Sequence, residues 1–356
     1  MRKVKSTKNY VFIDLFEKFI RDSKSGKRVQ KNGAKISKGT IENYNNTLLL
    51  IKKFCDITSF EIRIVSVRYL NDRQMIREKN YWIKFYKKFA DYLYNVKGHF
   101  DNYVGHVFKI IKAFFTYLNQ TLVLNIGDFY KNFYIIKEDI PVITLMPGEL
   151  NFLIYNKDFE ESLRGQLKRV KDFFVFGCTV ALRYSDLINL KQSNIRIVGD
   201  KWFLQVKSKK TSIFTSICLP NYAVEILKKY INSKSGYLLP KFKLTNLNLH
   251  IKEVIKAAGF NHNVSKSRNK RGVAKSIRNK YKSGKEFQFF DLVSSHTMRR
   301  TAITTMLTLG VPEHVVRKIS GHSHNSREFY KYVSIAQSYQ DKETTVFFEK
   351  LSMIEG

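Results

Sequence analysis

Acidic residues are scarce in this chain. Its 356 residues carry 30 Asp and Glu against 63 Lys and Arg, a formal net charge of +33 at pH 7. A compact chain so charged repels itself unless a polyanion is at hand, so nucleic acid is the first expected partner. Sparse carboxylates also argue against a two-metal nuclease, which needs a cluster of them. Cysteine is nearly absent: Cys55, Cys178 and Cys218 are odd in number and far apart, with no CxxC pair and no zinc spacing. That excludes a disulfide framework and predicts reduced thiols. No run of about eighteen apolar residues exists to cross a bilayer. The N-terminus (MRKVKSTKNYVF) lacks the apolar core of a signal peptide. A soluble, cytoplasmic, nucleoid-associated chain without a membrane partner is expected. Phosphate-loop, HExxH and GxSxG signatures are missing too, so no metal, ATP or other cofactor is expected.

Apolar residues are plentiful, at 44% with 14% aromatics, which excludes a disordered chain. The length suggests two domains. Residues 9–20 carry Val11, Phe12, Leu15, Phe16 and Phe19 at helical spacing. Thr40 reads as an N-cap ahead of Ile41, Tyr44, Leu48 and Ile51. Two more helices are predicted over 80–94 (Trp82, Phe85, Phe89, Leu93) and 100–118 (Val104, Phe108, Ile111, Phe115). Together they predict a four-helix bundle over residues 1–120. Residues 121–140 lose the helical period and read as an interdomain linker. Pro147-Gly148-Glu149 opens a new helix, and another is predicted over 163–182. Over 195–220, Trp202, Leu204 and Val206 alternate, then a polar turn precedes Ile213, Ile217 and Leu219. This is a hairpin or small antiparallel sheet. Residues 266–285 hold nine Lys or Arg and no acid. They read as a solvated loop resting on phosphate through Lys266, Arg268, Lys270, Arg271, Lys275, Arg278, Lys280 and Lys282.

A DNA enzyme short of acids has to stabilise phosphate with fixed cations, and three clusters offer them. Arg183 in ALRYSDLINL lies among apolar residues at a helix end, where burial is costly without an anion. In SHTMRR, His296 and Arg299 are three apart, so on a helix they share a face and can grip one phosphate. The third cluster, ISGHSH, is followed by FYKYVSI.

In this order, the three clusters resemble the tyrosine recombinases of the phage integrase family, of bacteroidete or mobile-element type. The resemblance implies a mainly α protein with a small antiparallel sheet: a helical core-binding domain over 1–120 and an α/β catalytic domain over 141–338. The two would form a C-shaped clamp on DNA. Residues 339–356 would be a tail in contact with a neighbouring protomer through Val346, Phe347, Phe348 and Leu351. By resemblance Arg183 and Arg299 clamp the phosphate, His296 assists proton transfer and His322 hydrogen-bonds the phosphate. A lysine in VKSKKT protonates the leaving 5′-oxygen. Lys210, followed by Thr211, fits best, with Lys207 and Lys209 as competitors. The product is a 3′-phosphotyrosyl link, made and resealed without metal or ATP. Four protomers on DNA, a phage or mobile element as carrier, and accessory DNA-bending proteins also follow from the family.

The nucleophile departs from the family pattern, whose tyrosine lies about nine residues after the GH histidine. Tyr330 comes eight after His322 and Tyr332 ten after. The KYVSI context favours Tyr332, because on a helix it shares a side with Phe329. Two steps of about 100° turn Tyr330 about 160° away. A catalytically silent DNA-binding accessory protein and a topoisomerase-like nicking-closing enzyme are the rival readings.

Overall fold

The computed structural model describes residues 9–208, 213–232, 236–323 and 326–352. They fall into two compact units, Met1–Ile140 with Ser267–Ile277, and Pro141–Lys266 with Arg278–Gly356.

The first unit holds four helices, α1 (Phe12–Ser25), α2 (Lys38–Thr58), α3 (Asp72–Asp91) and α4 (Asp101–Gln120). A short antiparallel pair, β1 (Asn9–Val11) with β2 (Arg63–Val65), accompanies them. The aromatic stripes make the core: Phe12, Phe16, Phe19, Phe54, Phe85, Phe89, Phe108, Phe114 and Phe115 are all fully buried. Ser37 rather than Thr40 caps α2, its hydroxyl accepting the Thr40 amide at 3.2 Å. Helix α3 starts well before residue 80, in a polar turn that hydrophobic periodicity cannot report. Asn71 and Gln74 form its capping box, each side chain taking the other's amide at 2.9 Å.

The expected linker over 121–140 is instead part of this unit. Ile126, Tyr130 and Phe133 sit in the same core, and Asn119 and Asn102 bracket the segment by paired bonds to Ile126, Gly127 and Glu138. Its apolar residues lack a period because it wraps rather than coils.

The second unit begins with α5 (Pro147–Tyr155), α6 (Lys157–Ser162), α7 (Gly165–Val180) and α8 (Tyr184–Leu187). A three-stranded antiparallel sheet follows, in the order β3 (Ile195–Val198), β4 (Lys201–Lys207), β5 (Phe214–Cys218). Leu204 faces Ile217 and Val206 faces Thr215, so one face of the β4–β5 pair is buried, as the alternation predicts. Helices α9 (Asn221–Lys228) and α10 (Leu244–Ala257) lead to β6 (Asn263–Val264).

Here the chain leaves the unit. Strands β7 (Ser267–Lys270) and β8 (Val273–Ser276) form a hairpin that belongs to the first unit. The chain returns through β9 (Phe287–Gln288), which pairs with β6, then α11 (Phe289–Leu292), α12 (Ser295–Thr308), α13 (Glu313–Ser320) and α14 (Arg327–Ser352). The first half of the segment read as a solvated basic loop is therefore a hairpin. Arg271 and Gly272, at φ 56° and 79°, make its two-residue turn. Asp101, fully buried, accepts the amides of Arg271 (2.7 Å) and Gly272 (2.8 Å) and the Tyr94 hydroxyl (2.7 Å). Buried Glu138 takes the Arg268 guanidinium at 2.7 Å and the Asn269 amide.

Helices α7 and α12 approach closely at Gly177. A Cβ there would fall 2.5 Å from Met298 Sδ and 3.0 Å from Met298 Cβ. Gly177→Ala is expected to destabilise the protein by about 2 kcal/mol. Overpacking costs about 1–3 kcal/mol, and at most about 1 kcal/mol returns as helix propensity. Denaturant unfolding checks this, and a variant as stable as the parent would refute the close approach.

Candidate active site

Helix α7 ends at Ala181 in the left-handed conformation, φ 54°. That turn sends the chain into α8 with Arg183 at its N-cap. The conformation costs a non-glycine residue about 1 kcal/mol. The Ala181 carbonyl it presents is taken at 2.7 Å by Arg299 Nη1, so the turn joins two of the expected site residues.

Arg299 arrives from α12. The Ser294–Thr297 capping box starts this helix, and Asn248 holds the Ser295 amide at 2.8 Å. His296 stands exposed in its first turn, and Arg299, three residues on, is 3% exposed. Arg299 Nη2 donates to the Ser320 carbonyl. A guanidinium has five N–H donors, so three stay available beyond these two carbonyls. Arg183 Nη1 donates to Ser208 Oγ at 3.2 Å, and that hydroxyl donates to buried Asp186 at 3.3 Å. Burial, then the charge of Arg183, brings the Arg299 pKa down to about 10. Two mutually repelling guanidiniums beside one carboxylate form a pocket for an anion.

Helix α13 closes at Gly321, φ 63°, where only glycine turns cheaply. The His322 amide bonds back to the Arg317 carbonyl at 3.0 Å. The Ser320 hydroxyl donates to the Val316 carbonyl at 2.7 Å and lies 2.7 Å from His322 Nδ1. Both ring nitrogens of His322 lie 3.5 Å from Arg299 Nη2.

The two tyrosines part company on α14. Tyr332 is 6% exposed, packed with Phe329, Ala181, Ala302, Ile303 and Val316, its ring 6.0 Å from that of His322. Tyr330 is 56% exposed, its ring 5.0 Å from the Arg317 guanidinium.

The structure thus gathers Arg183, Arg299, His322 and Tyr332 around one pocket, with His296 exposed in the first turn of α12, three residues before Arg299. Lys209 and Lys210 lie outside the described residues, and Lys207 is exposed at the end of β4. Of the expected DNA-binding set, Lys275, Arg278 and Lys280 stand exposed. Arg268 pairs with Glu138, Arg271 with Asp91, and Lys282 with Asp291; Lys266 lies over Phe287. Tail side chains Val346, Phe347 and Leu351 lie outside the described residues; exposed Phe348 sits on α14, which runs unbroken from the tyrosines into the tail. Asp186, Ser208, Ser320 and Arg317 escaped the sequence reading. Only Asp186, one turn after Arg183, carried a readable signal. Among the described residues no His, Cys, Asp and Glu cluster could hold a metal ion, and no helix is long and apolar enough to cross a membrane.

A model described as the phage integrase family matches residues 161–338, half of the chain. The chain belongs to the phage integrase family. It is a tyrosine-type site-specific recombinase. Its fold is similar to that of XerH site-specific recombinase bound to palindromic difH substrate, at TM-score 0.59 and 12% identity over 94% of this chain and 84% of that one. A lambda integrase tetramer bound to a Holliday junction matches at TM-score 0.55 and 11% identity, over 91% and 79%. The Tn1549 transposon integrase with transposon right end DNA matches at 0.54 and 14%, over 92% and 94%. At such identities the likeness is one of fold. No curated protein matches the sequence.

In this recombinase, burial and then the charges of Arg299, Arg183, Arg317 and His296 push the His322 pKa from 6.5 down to about 4. The folded state therefore binds fewer protons at this site than the unfolded chain between those values. Its contribution to stability is full above pH 6.5 and is lost as pH falls toward 4. Thermal unfolding from pH 4 to 7 should show a shallower acid slope in His322→Gln than in the parent. Parallel slopes would contradict the neutral, half-buried imidazole.

Proposed function

We propose that Tyr332 is the nucleophile that cuts one strand of duplex DNA and holds it as a 3′-phosphotyrosyl link. The observation that carries this reading is the inward Tyr332 ring, beside neutral His322 and the Arg183–Arg299 pair. The phenolic oxygen attacks phosphorus, the 5′-oxygen leaves with a proton, and the bond energy stays in the phosphotyrosine. A 5′-hydroxyl of another strand then reverses the step. Arg183 and Arg299 bind the nonbridging oxygens, where their planar forks match the developing charge. A phenol is a weak nucleophile at its ordinary pKa of about 10, and the cationic pocket favours its anion. His296 assists the proton transfer and His322 hydrogen-bonds the phosphate. Lys210 is proposed as the donor to the leaving oxygen, with Lys207 and Lys209 as the alternatives.

In this reading Pro141–Lys266 with Arg278–Gly356 is the catalytic domain and Met1–Ile140 the core-binding domain. Exposed Lys275, Arg278 and Lys280, with Lys270, meet the phosphate backbone. Four protomers assemble on paired DNA sites, as lambda integrase does on a Holliday junction in its solved structure. A phage or other mobile element as carrier, accessory bending proteins and a place on the nucleoid belong to the same proposal. The test is a DNA duplex nicked near the cleavage site, so that the small fragment diffuses away and the adduct accumulates. Mass spectrometry of the DNA-linked peptide should find the modification on Tyr332. A link on Tyr330 overturns the assignment, and no adduct favours the silent DNA-binding reading.

A further inference from the structure

One buried cation is not among the groups that meet the phosphate in this reading. The Arg317 side chain is 6% exposed, and a guanidinium leaves water only at a cost that partners must offset. Its partners come from three consecutive pieces of chain. Nε donates to Glu313 at 2.6 Å on its own helix α13. Nη1 donates to the Ser323 carbonyl at 3.0 Å, just past His322. The guanidinium carbon lies 4.1 Å from the ring centre of Phe329 and 5.0 Å from that of Tyr330, both in the first turn of α14.

We propose that Arg317 is a positioning residue that sets the rotation of α14, and so selects Tyr332 over Tyr330 for the anion pocket. The inference rests on the reading of Tyr332 as the nucleophile. Apolar packing of fully buried Phe329 is non-directional and would tolerate some rotation of the helix. A planar guanidinium is less permissive, since it stacks on a ring with its face and donates to carbonyls in its plane. Held at once by Glu313 and Ser323, the plane fixes where Phe329 lies. Tyr332, three residues on, then faces Ala181, Val316 and His322, while Tyr330 is turned about 160° from it. Arg317 gives the start of α14 a fixed reference on α13 and on Ser323.

The experiment uses the full chain with Arg317→Met, Arg317→Lys and Glu313→Gln, on the nicked duplex. It reads DNA affinity, initial cleavage rate, and the share of adduct on each tyrosine. Arg317→Met is expected to bind DNA within about twofold of the parent and cleave at least about tenfold more slowly, since small misplacements of a reacting group cost that much or more. A measurable share of its adduct should move to Tyr330. Arg317→Lys, with charge but no fork, and Glu313→Gln should fall between. If Arg317→Met fails to fold, these two variants decide alone. Parent-like rates, or slower cleavage with the adduct wholly on Tyr332, overturn the selecting role. An adduct on Tyr330 in the parent protein instead overturns the nucleophile assignment itself.

Discussion

Tyr332→Phe is expected to abolish the covalent protein–DNA complex while leaving fold and DNA affinity intact. The substitution removes one oxygen, and the ring keeps its packing against Phe329 and His322. Unfolding midpoints should therefore move little. DNA affinity should stay within about twofold, because phosphate contacts by Lys and Arg supply most of it. Cleavage should fall by about 10⁴-fold or more, as when other enzymes lose their nucleophile. Tyr330→Phe is the matched control. It removes a hydroxyl of similar chemistry from a half-exposed ring two residues away, and adduct formation should persist. Gel-shift titration and denaturing electrophoresis of the same samples measure both quantities. Adduct formed by Tyr332→Phe but not by Tyr330→Phe would reverse the two roles.

Arg299→Lys should be the second most damaging change. Charge is conserved, yet the fork that joins the Ala181 and Ser320 carbonyls is lost, and one ammonium cannot reach both and also meet a phosphate. Two costs follow. A buried carbonyl left without its donor costs about 1–3 kcal/mol of stability. Loss of a preorganised donor to the transition state raises the barrier by about 2.7–4 kcal/mol, about 10²- to 10³-fold in rate. The two separate experimentally: unfolding at neutral pH reads the first, and single-turnover cleavage at saturating DNA, well below the unfolding midpoint, reads the second. A lysine variant that loses stability but cleaves at the parent rate would leave Arg299 a structural role only.

Much of the pocket was legible because its pieces are local. Arg183 follows a helix end, His296 and Arg299 share one helical face, and His322 follows a glycine that ends a helix. Each is a pattern over a few residues. That Tyr332 turns inward and Tyr330 outward was also readable in part, because Phe329 marks the buried side of α14. Other features escaped because their cause is remote in sequence. The β7–β8 hairpin is polar on both faces, so no alternation announces strands. Its order comes from Asp101 and Glu138, more than a hundred residues away. Residues 121–140 looked like a linker because a wrapping segment has no period, although it buries Ile126, Tyr130 and Phe133. Arg317 carries no signal in the sequence. Only the folded chain shows which rings lie against it.

The same hairpin bears on the order in which this protein can be made. The first unit is continuous from Met1 to Ile140 except for one part, Ser267–Ile277, which leaves the ribosome after roughly another hundred and thirty residues. Domains emerging from a ribosome usually fold N-terminal first, at about 5–20 residues per second. Here the α1–α4 core can collapse early, but Asp101 and Glu138 must wait several seconds or more for the amides of Asn269, Arg271 and Gly272. Until then both carboxylates need water at positions that later become dry. The nascent unit is thus held short of its final packing until most of the second unit has also been synthesised.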